Sequence, residues 1–130
     1  MPYYSKQSRE RLETCDIRLQ DIFNTVIKFF DHSILCGHRP EEEQDLAFQK
    51  GNSKVQWPKG KHNKIPSKAV DTAPYPIEWD NIRRFTLFAG FVLGIAYMMG
   101  IKLRWGGDWN GDTKMKDQTF NDLVHFELID

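Results

Sequence analysis

The sequence predicts an α+β domain in which helices pack on a small, largely antiparallel sheet. Three observations carry that expectation. A one-sided helical pattern opens the chain, a nearly all-apolar stretch fills residues 85–101, and short strand-like runs lie between turns at residues 69–73, 101–105 and 123–128. With 130 residues the expected organisation is a single domain over residues 1–130, long enough to bury about two-thirds of its unfolded surface.

In residues 8–30, Leu12, Leu19, Ile22, Phe23, Val26, Ile27 and Phe30 recur at three- and four-residue spacing, which predicts one amphipathic helix. SILCGHR follows as a short apolar run and turn. Pro40 opens a second helix with Glu41, Glu42 and Glu43 in its first turn, and Lys50 and Gly51 close it. Residues 51–68 hold five lysines and two prolines without periodicity, so they read as a surface loop, and long loops in compact domains are usually functional. AVDTA reads as a short strand ended by Pro74 and Pro76.

The apolar residues 85–101, flanked by Arg83, Arg84 and Lys102, fit a buried core helix or a membrane span. As a helix they cover roughly 26 Å against a hydrocarbon core of about 30 Å, so length alone does not decide, and the core helix is preferred. Gly90, Gly94 and Gly100 fit close helix packing in either setting. IKLRW then reads as a strand, GGDWNGD as a glycine-rich turn and LVHFEL as a final strand.

Lysines plus arginines equal aspartates plus glutamates at 18 each, so no global field draws the chain to nucleic acid or an anionic membrane. Four tryptophans and the apolar content exclude a disordered chain. The first dozen residues carry charge throughout and lack the apolar run of a signal peptide, so the chain is expected to be made and kept in a cytoplasm unless something else releases it. In a reducing compartment Cys15 and Cys36 are expected as free thiols.

Strand alternation puts Leu123, His125 and Glu127 on one face and Val124, Phe126 and Leu128 on the other, which must be the core face. The same parity sets Asp71 opposite Val70. Asp122, three residues before His125, has the wrong parity and is expected on the turn entering the strand, leaning over the same site. With His62 in the lysine-rich loop, nine residues before Asp71, this makes two imidazoles, one carboxylate and a free second carboxylate. A catalytic zinc site needs that set: three protein ligands, an open position and a base. Against it stands the ordinary surface histidine, and no HExxH or paired CxxC forces a metal. Cys36 and His38 are a weaker start to a second site. Asp108, Asn110 and Asp112 alternate as in a calcium loop, but Thr119 stands where such a loop needs glutamate, so a plain turn is expected. Trp57, Trp105 and Trp109 fit stacking on a ligand or plain packing equally well.

HNKIPSKAVDTAPYPIEW, from His62 to Trp79, resembles the zinc-ligand signature of peptidoglycan peptidases related to D-Ala-D-Ala carboxypeptidases, and within them the L-alanyl-D-glutamate peptidases of phage endolysins. DLVHFEL resembles the second half of that family's site, with an aspartate base three residues before the last histidine ligand. GHRPEEEQ is similar to its substrate-holding segment, and IKLRWGGDWNGD to the strand and turn before the final ligand. The resemblance departs at Gly60, where family members commonly carry serine, and the spacing from His62 to Asp71 is the longer form found in the endolysin branch.

The resemblance implies a Hedgehog/DD-peptidase-like α+β fold with its cleft at the sheet. It implies Zn2+ on His62, Asp71 and His125, Asp122 as catalytic base, and a peptidoglycan stem peptide as substrate, cut between L-alanine and D-glutamate. Arg39 suits a substrate carboxylate or the developing oxyanion, with a salt bridge to Glu41–Glu43 as the alternative, and Gln44 suits the stem-peptide backbone. Glu127 either orients a ligand histidine or is solvated. A monomer acting on the wall after release from the host is expected. The competing functions are a D-Ala-D-Ala carboxypeptidase, a wall-binding module without catalysis, and a membrane protein spanning through residues 85–101.

Overall fold

The computed structural model describes residues 2–114 and 122–129. The first amphipathic stretch forms two helices rather than the expected one, α1 (Lys6–Glu13) and α2 (Ile17–Val26). The break lies at Asp16, whose side chain accepts from the Arg18 N–H and caps α2. Its own N–H donates to the Ser67 carbonyl at 2.8 Å while Ser67 N–H donates to the Thr14 carbonyl at 2.9 Å. Backbone groups that would continue a helix are thus spent on a distant segment. The apolar periodicity survives the break, because Leu12, Leu19, Ile22, Phe23, Val26 and Ile27 are all buried.

The stretch expected as an apolar run and turn is a strand, β1 (His32–Cys36), with Ile34 in the core. Gly37 then turns the chain where no side chain fits, since a Cβ there would lie 2.3 Å from the Arg11 carbonyl and from Thr14 Oγ1. α3 (Glu41–Gln49) follows Pro40 as expected. The lysine-rich segment is irregular except for one 3-10 turn, Lys61–Asn63, and leads into β2 (Ala69–Pro74).

α4 (Ile82–Met98) is the long apolar helix, and it is a core helix. Phe85, Phe88, Ala89, Val92 and Ala96 are buried, and among the described residues no helix is long and apolar enough to cross a membrane. The expectation of close packing at Gly90 and Gly94 is corrected: both are exposed and nothing lies within 4 Å of where a Cβ would stand. Gly100 instead ends the helix at φ 72°, its N–H reaching the Tyr97 carbonyl while Ile101 N–H reaches Ala96, the hydrogen-bond pair of a glycine helix end.

β3 (Leu103–Gly106) and β4 (Asp122–Leu128) complete a four-stranded sheet in the order β1-β2-β4-β3, with all three pairings antiparallel. α4 crosses β2, β4 and β3, and α1 lies along β1. Val70, Phe126 and Leu128 face the helices, where the Phe126 ring meets Phe23 at 5.7 Å and Phe88 at 6.2 Å. The opposite sheet face therefore receives Asp71 and His125.

Alternation along β4 holds only in part. The β3–β4 register runs Trp105↔Phe126 and then jumps to Gly106↔Asp122. This irregularity shifts the strand's phase: Leu123 packs against the core, whereas Val124 lines the cleft together with Asp122 and His125. Asp122 is thus the first residue of β4, brought to the cleft by the phase shift rather than by a preceding turn.

Candidate metal centre

Asp71 and His125 are cross-strand partners on the two middle strands, so their side chains meet on the open face. His62 arrives from the 3-10 turn, which is tied down at several points. Arg39 N–H donates to the His62 carbonyl at 2.7 Å, Lys68 N–H to the Lys61 carbonyl at 3.0 Å, and Asn63 Nδ2 to the Arg39 carbonyl at 3.0 Å. Gly60 N–H donates to Asn63 Oδ1 at 2.9 Å, and a Cβ at position 60 would lie 2.6 Å from that oxygen. The Asn63 amide thus occupies the space that a serine at position 60 would need.

The two imidazoles have determined roles. His62 Nδ1 lies 2.7 Å from the Gly37 carbonyl, which can only accept, so Nδ1 carries the hydrogen and Nε2 a lone pair. His125 Nε2 lies 2.8 Å from Glu127 Oε1, so it donates and leaves its lone pair on Nδ1. Glu127 is ionised there: burial disfavours its charge, but His125 and Arg104 outweigh burial and hold it down at about 2. Glu127 is 8% exposed, bonds His125 and also pairs with Lys61, so it is not solvated.

Three lone-pair atoms then converge. His62 Nε2, His125 Nδ1 and Asp71 Oδ1 stand 3.1, 3.2 and 3.3 Å apart in their three pairings. A tetrahedral ion with ligands at about 2.0–2.1 Å sets neighbouring ligand atoms about 3.3 Å apart, so the donor set fits a metal. Among the described residues no other group of three such side chains does. Burial opposes charge on His62, yet Asp71 beside it raises the imidazole to about 10; His125 is raised against burial by Asp71 and Glu127. Burial would raise Asp71, but the two histidines hold it well below the usual carboxylate range.

Around the triad opens a cleft of about 1160 Å³. Asp122 lines it, its carboxyl pushed up by burial and then by the Asp71 charge. Arg39 also lines it, donating from Nη2 to Asp71 Oδ2 at 3.2 Å and from Nη1 to Gln44 Oε1 at 3.2 Å. The salt-bridge alternative for Arg39 is met in altered form, with Asp71 as its partner instead of Glu41–Glu43. Gln44, expected to hold the stem-peptide backbone, lines the cleft with its amide turned to internal partners. It is 1% exposed, its amide nitrogen donates to Ser53 Oγ and the Val55 carbonyl, and its oxygen accepts from Arg39 and Asn63. Each donor and acceptor of the amide is engaged inside the protein.

A model of the phage L-alanyl-D-glutamate peptidase family matches residues 2–129. The chain belongs to that family. An L-alanyl-D-glutamate peptidase of Escherichia phage T5 is 29% identical over 135 residues, covering 97% of this chain and 97% of the relative. The crystal structure of the L-Ala D-Glu endopeptidase ChiX of Serratia marcescens superposes with a TM-score of 0.77 at 23% identity, over 97% of this chain and 89% of that one. That likeness shows the α+β fold.

Other candidates resolve simply. Cys15 and Cys36 are free thiols, as expected. His38 is half-buried with Nδ1 at the Lys64 carbonyl and His32 is buried against Tyr4, so neither joins the triad. Asp108, Asn110 and Asp112 accept from the N–H groups of Thr113, Asp112 and Lys114, which is turn chemistry; Thr119 lies outside the described residues. Trp105 is packed, with Nε1 donating to the Leu123 carbonyl, whereas Trp109 stands 5.4 Å from the His125 ring in the cleft. Sequence reasoning missed Arg104, Lys61 and Trp79 as cleft residues. The available signal was Arg104 on a strand next to one carrying Glu127, readable only once the register is known.

Proposed function

We propose that the chain is a zinc peptidase that hydrolyses the L-Ala–D-Glu bond of peptidoglycan stem peptides and serves as a phage endolysin. One observation carries this reading: in a member of this family, three lone-pair atoms from His62, Asp71 and His125 converge within 3.3 Å while each imidazole's other nitrogen is committed to a fixed acceptor. Two imidazoles and one carboxylate suit zinc with a fourth position left open, whereas calcium and magnesium take six or more mainly oxygen ligands.

When bound, zinc supplies Lewis acidity toward the scissile carbonyl and the attacking water. His62, Asp71 and His125 hold it. Asp122 takes the water's proton and hands it to the leaving amine, for which a carboxyl raised by burial is suited. Arg39 faces the negative charge that develops on the carbonyl oxygen. Gln44 acts at one remove, clamping Arg39 from below, and Glu127 keeps His125 in the ligand tautomer. On this reading residues 1–130 form a single catalytic domain that works as a monomer. The phage relative supports synthesis in a bacterial host and action on its wall.

The test is mass spectrometry of purified peptidoglycan digested by the zinc-loaded protein. Peptides with a new D-glutamate amino terminus are expected. Release of free D-alanine instead would assign the chain to the D-Ala-D-Ala carboxypeptidase reaction, and no new peptide at all would leave a wall-binding module.

A further inference from the structure

The cleft wall beside β3 carries more positive charge than it neutralises. Glu127 accepts from Arg104 Nη2 at 2.6 Å and pairs with Lys61 Nζ at 3.3 Å, so one carboxylate meets two full cations. Arg104 is anchored through Nη2, its buried Nε–H has no partner among the described residues, and its guanidinium lies 5.8 Å from the centroid of the Trp109 ring. An arginine anchored at one amine and stacked on an indole is oriented for a planar anion.

Its place in the sheet gives that anion a position. Arg39 lies just beyond the β1 edge and Arg104 on the β3 edge, with Asp71 and His125 on the two strands between. Three strand spacings of about 4.8 Å separate the edges, roughly 14 Å, which an extended peptide covers in about four residues. A peptide laid across the strands with its scissile carbonyl at the triad therefore meets Arg39 at the triad itself, where it contacts Asp71, and Arg104 about one strand spacing beyond His125 on the β3 side. Arg39 is committed to Asp71 and Gln44 with a side chain 16% exposed, whereas the Arg104 side chain is 35% exposed.

A glutamate that continues the peptide through one of its carboxyls keeps the other free, a few bonds from the leaving nitrogen. We propose that Arg104, held by Glu127 and Trp109, binds this free carboxylate and makes the enzyme select stem peptides in which it is ionised over those in which it is amidated. The assignment rests on the peptidase reading above and adds the recognition of one substrate group to it.

The experiment uses two synthetic stem peptides that differ only in carboxylate against carboxamide at that glutamate. It measures kcat/KM on each for the zinc-loaded wild type, Arg104→Gln and Arg104→Lys, with zinc content determined alongside. Wild type is expected to prefer the carboxylate by about 10- to 100-fold, the scale of a hydrogen-bonded charge. Arg104→Gln, which keeps a donor for Glu127, should lose about that factor on the carboxylate peptide and stay within about twofold on the amide. Arg104→Lys should retain part of the preference. Equal loss on both peptides, with or without loss of zinc, would make Arg104 a support for His125 and overturn the proposal. So would a wild type that cleaves both peptides alike, which leaves the peptidase reading standing; cleavage of neither removes both.

Discussion

Asp71 and Asp122 line one cleft and are the same residue type, yet they are assigned different work, and that difference can be measured. Asp71 Oδ1 lies 3.1 Å from His62 Nε2 and 3.2 Å from His125 Nδ1. Asp71→Ala removes one of the three proposed ligands and leaves two histidines and Arg39 without their common anion. Structural zinc sites gain about 10–16 kcal/mol over four ligands, or about 2.5–4 kcal/mol each, so the loss should weaken zinc binding by about 10²–10³-fold. Asp122→Ala touches none of the three ligand atoms. Zinc should stay bound while turnover falls by about 10²–10⁴-fold, the usual contribution of a positioned acid or base. Zinc per chain after gel filtration, set beside turnover on a stem peptide, separates the two variants. If Asp122→Ala loses the metal while Asp71→Ala keeps it, the two roles are reversed. If Asp122→Ala is metal-loaded and fully active, the proton passes through another group, and Glu127 is poorly placed for that because His125, Arg104 and Lys61 already occupy it.

Chelation should abolish turnover and lower Tm, with zinc restoring both; at a hundredfold excess over Kd the ion contributes about 2.7 kcal/mol, read as a thermal shift. Zinc affinity should fall as pH drops, because Asp71 favours the protonated form of His62 and protons compete for the same lone pairs, a trend that calorimetry at several pH values would check. Gly37→Ala should cost about 1–3 kcal/mol and weaken zinc binding, since the Cβ would strike the Arg11 carbonyl and displace the carbonyl that orients His62; unchanged Tm and metal affinity would refute it. Burial pushes His32 down to about 4 from 6.5, so the unfolded chain takes up the proton first. Its contribution to stability is then whole above about pH 6.5 and lost toward pH 4 at about 1.4 kcal/mol per unit, a slope that denaturant unfolding of the metal-free protein should show and His32→Leu should remove.

The helices were readable because their signal is local. α2 buries the residues that three- and four-residue spacing selects, α4 forms from the apolar run, and Pro40 opens α3 where its backbone chemistry suits a helix start, whereas Gly100, read as a packing glycine, proved to be a helix end. The break at Asp16 was not readable, because its cause is Ser67, a partner far along the chain that appears only after folding. β1 escaped for a similar reason: an edge strand that begins with His32 and Ser33 shows little hydrophobic alternation, and pairing with β2 is what makes it a strand.

The same division runs through the site. Asp71 and His125 were legible because side-chain parity within a regular strand is a local property, and each lies next to a buried neighbour, Val70 or Phe126, that fixes which way it must point. Asp122 and Val124 lie beyond the register jump opposite β3, so parity counted back from His125 assigns them wrongly, although Asp122 still reaches the cleft. The charges on the β3 side were illegible for a further reason: Arg104, Lys61 and Glu127 come from β3, the 3-10 turn and β4, and no spacing in the sequence relates them. Local pattern therefore exposes the groups proposed to hold the metal. The groups that orient those ligands, and by this account choose the substrate, come from long-range pairing and become visible only with the sheet assembled.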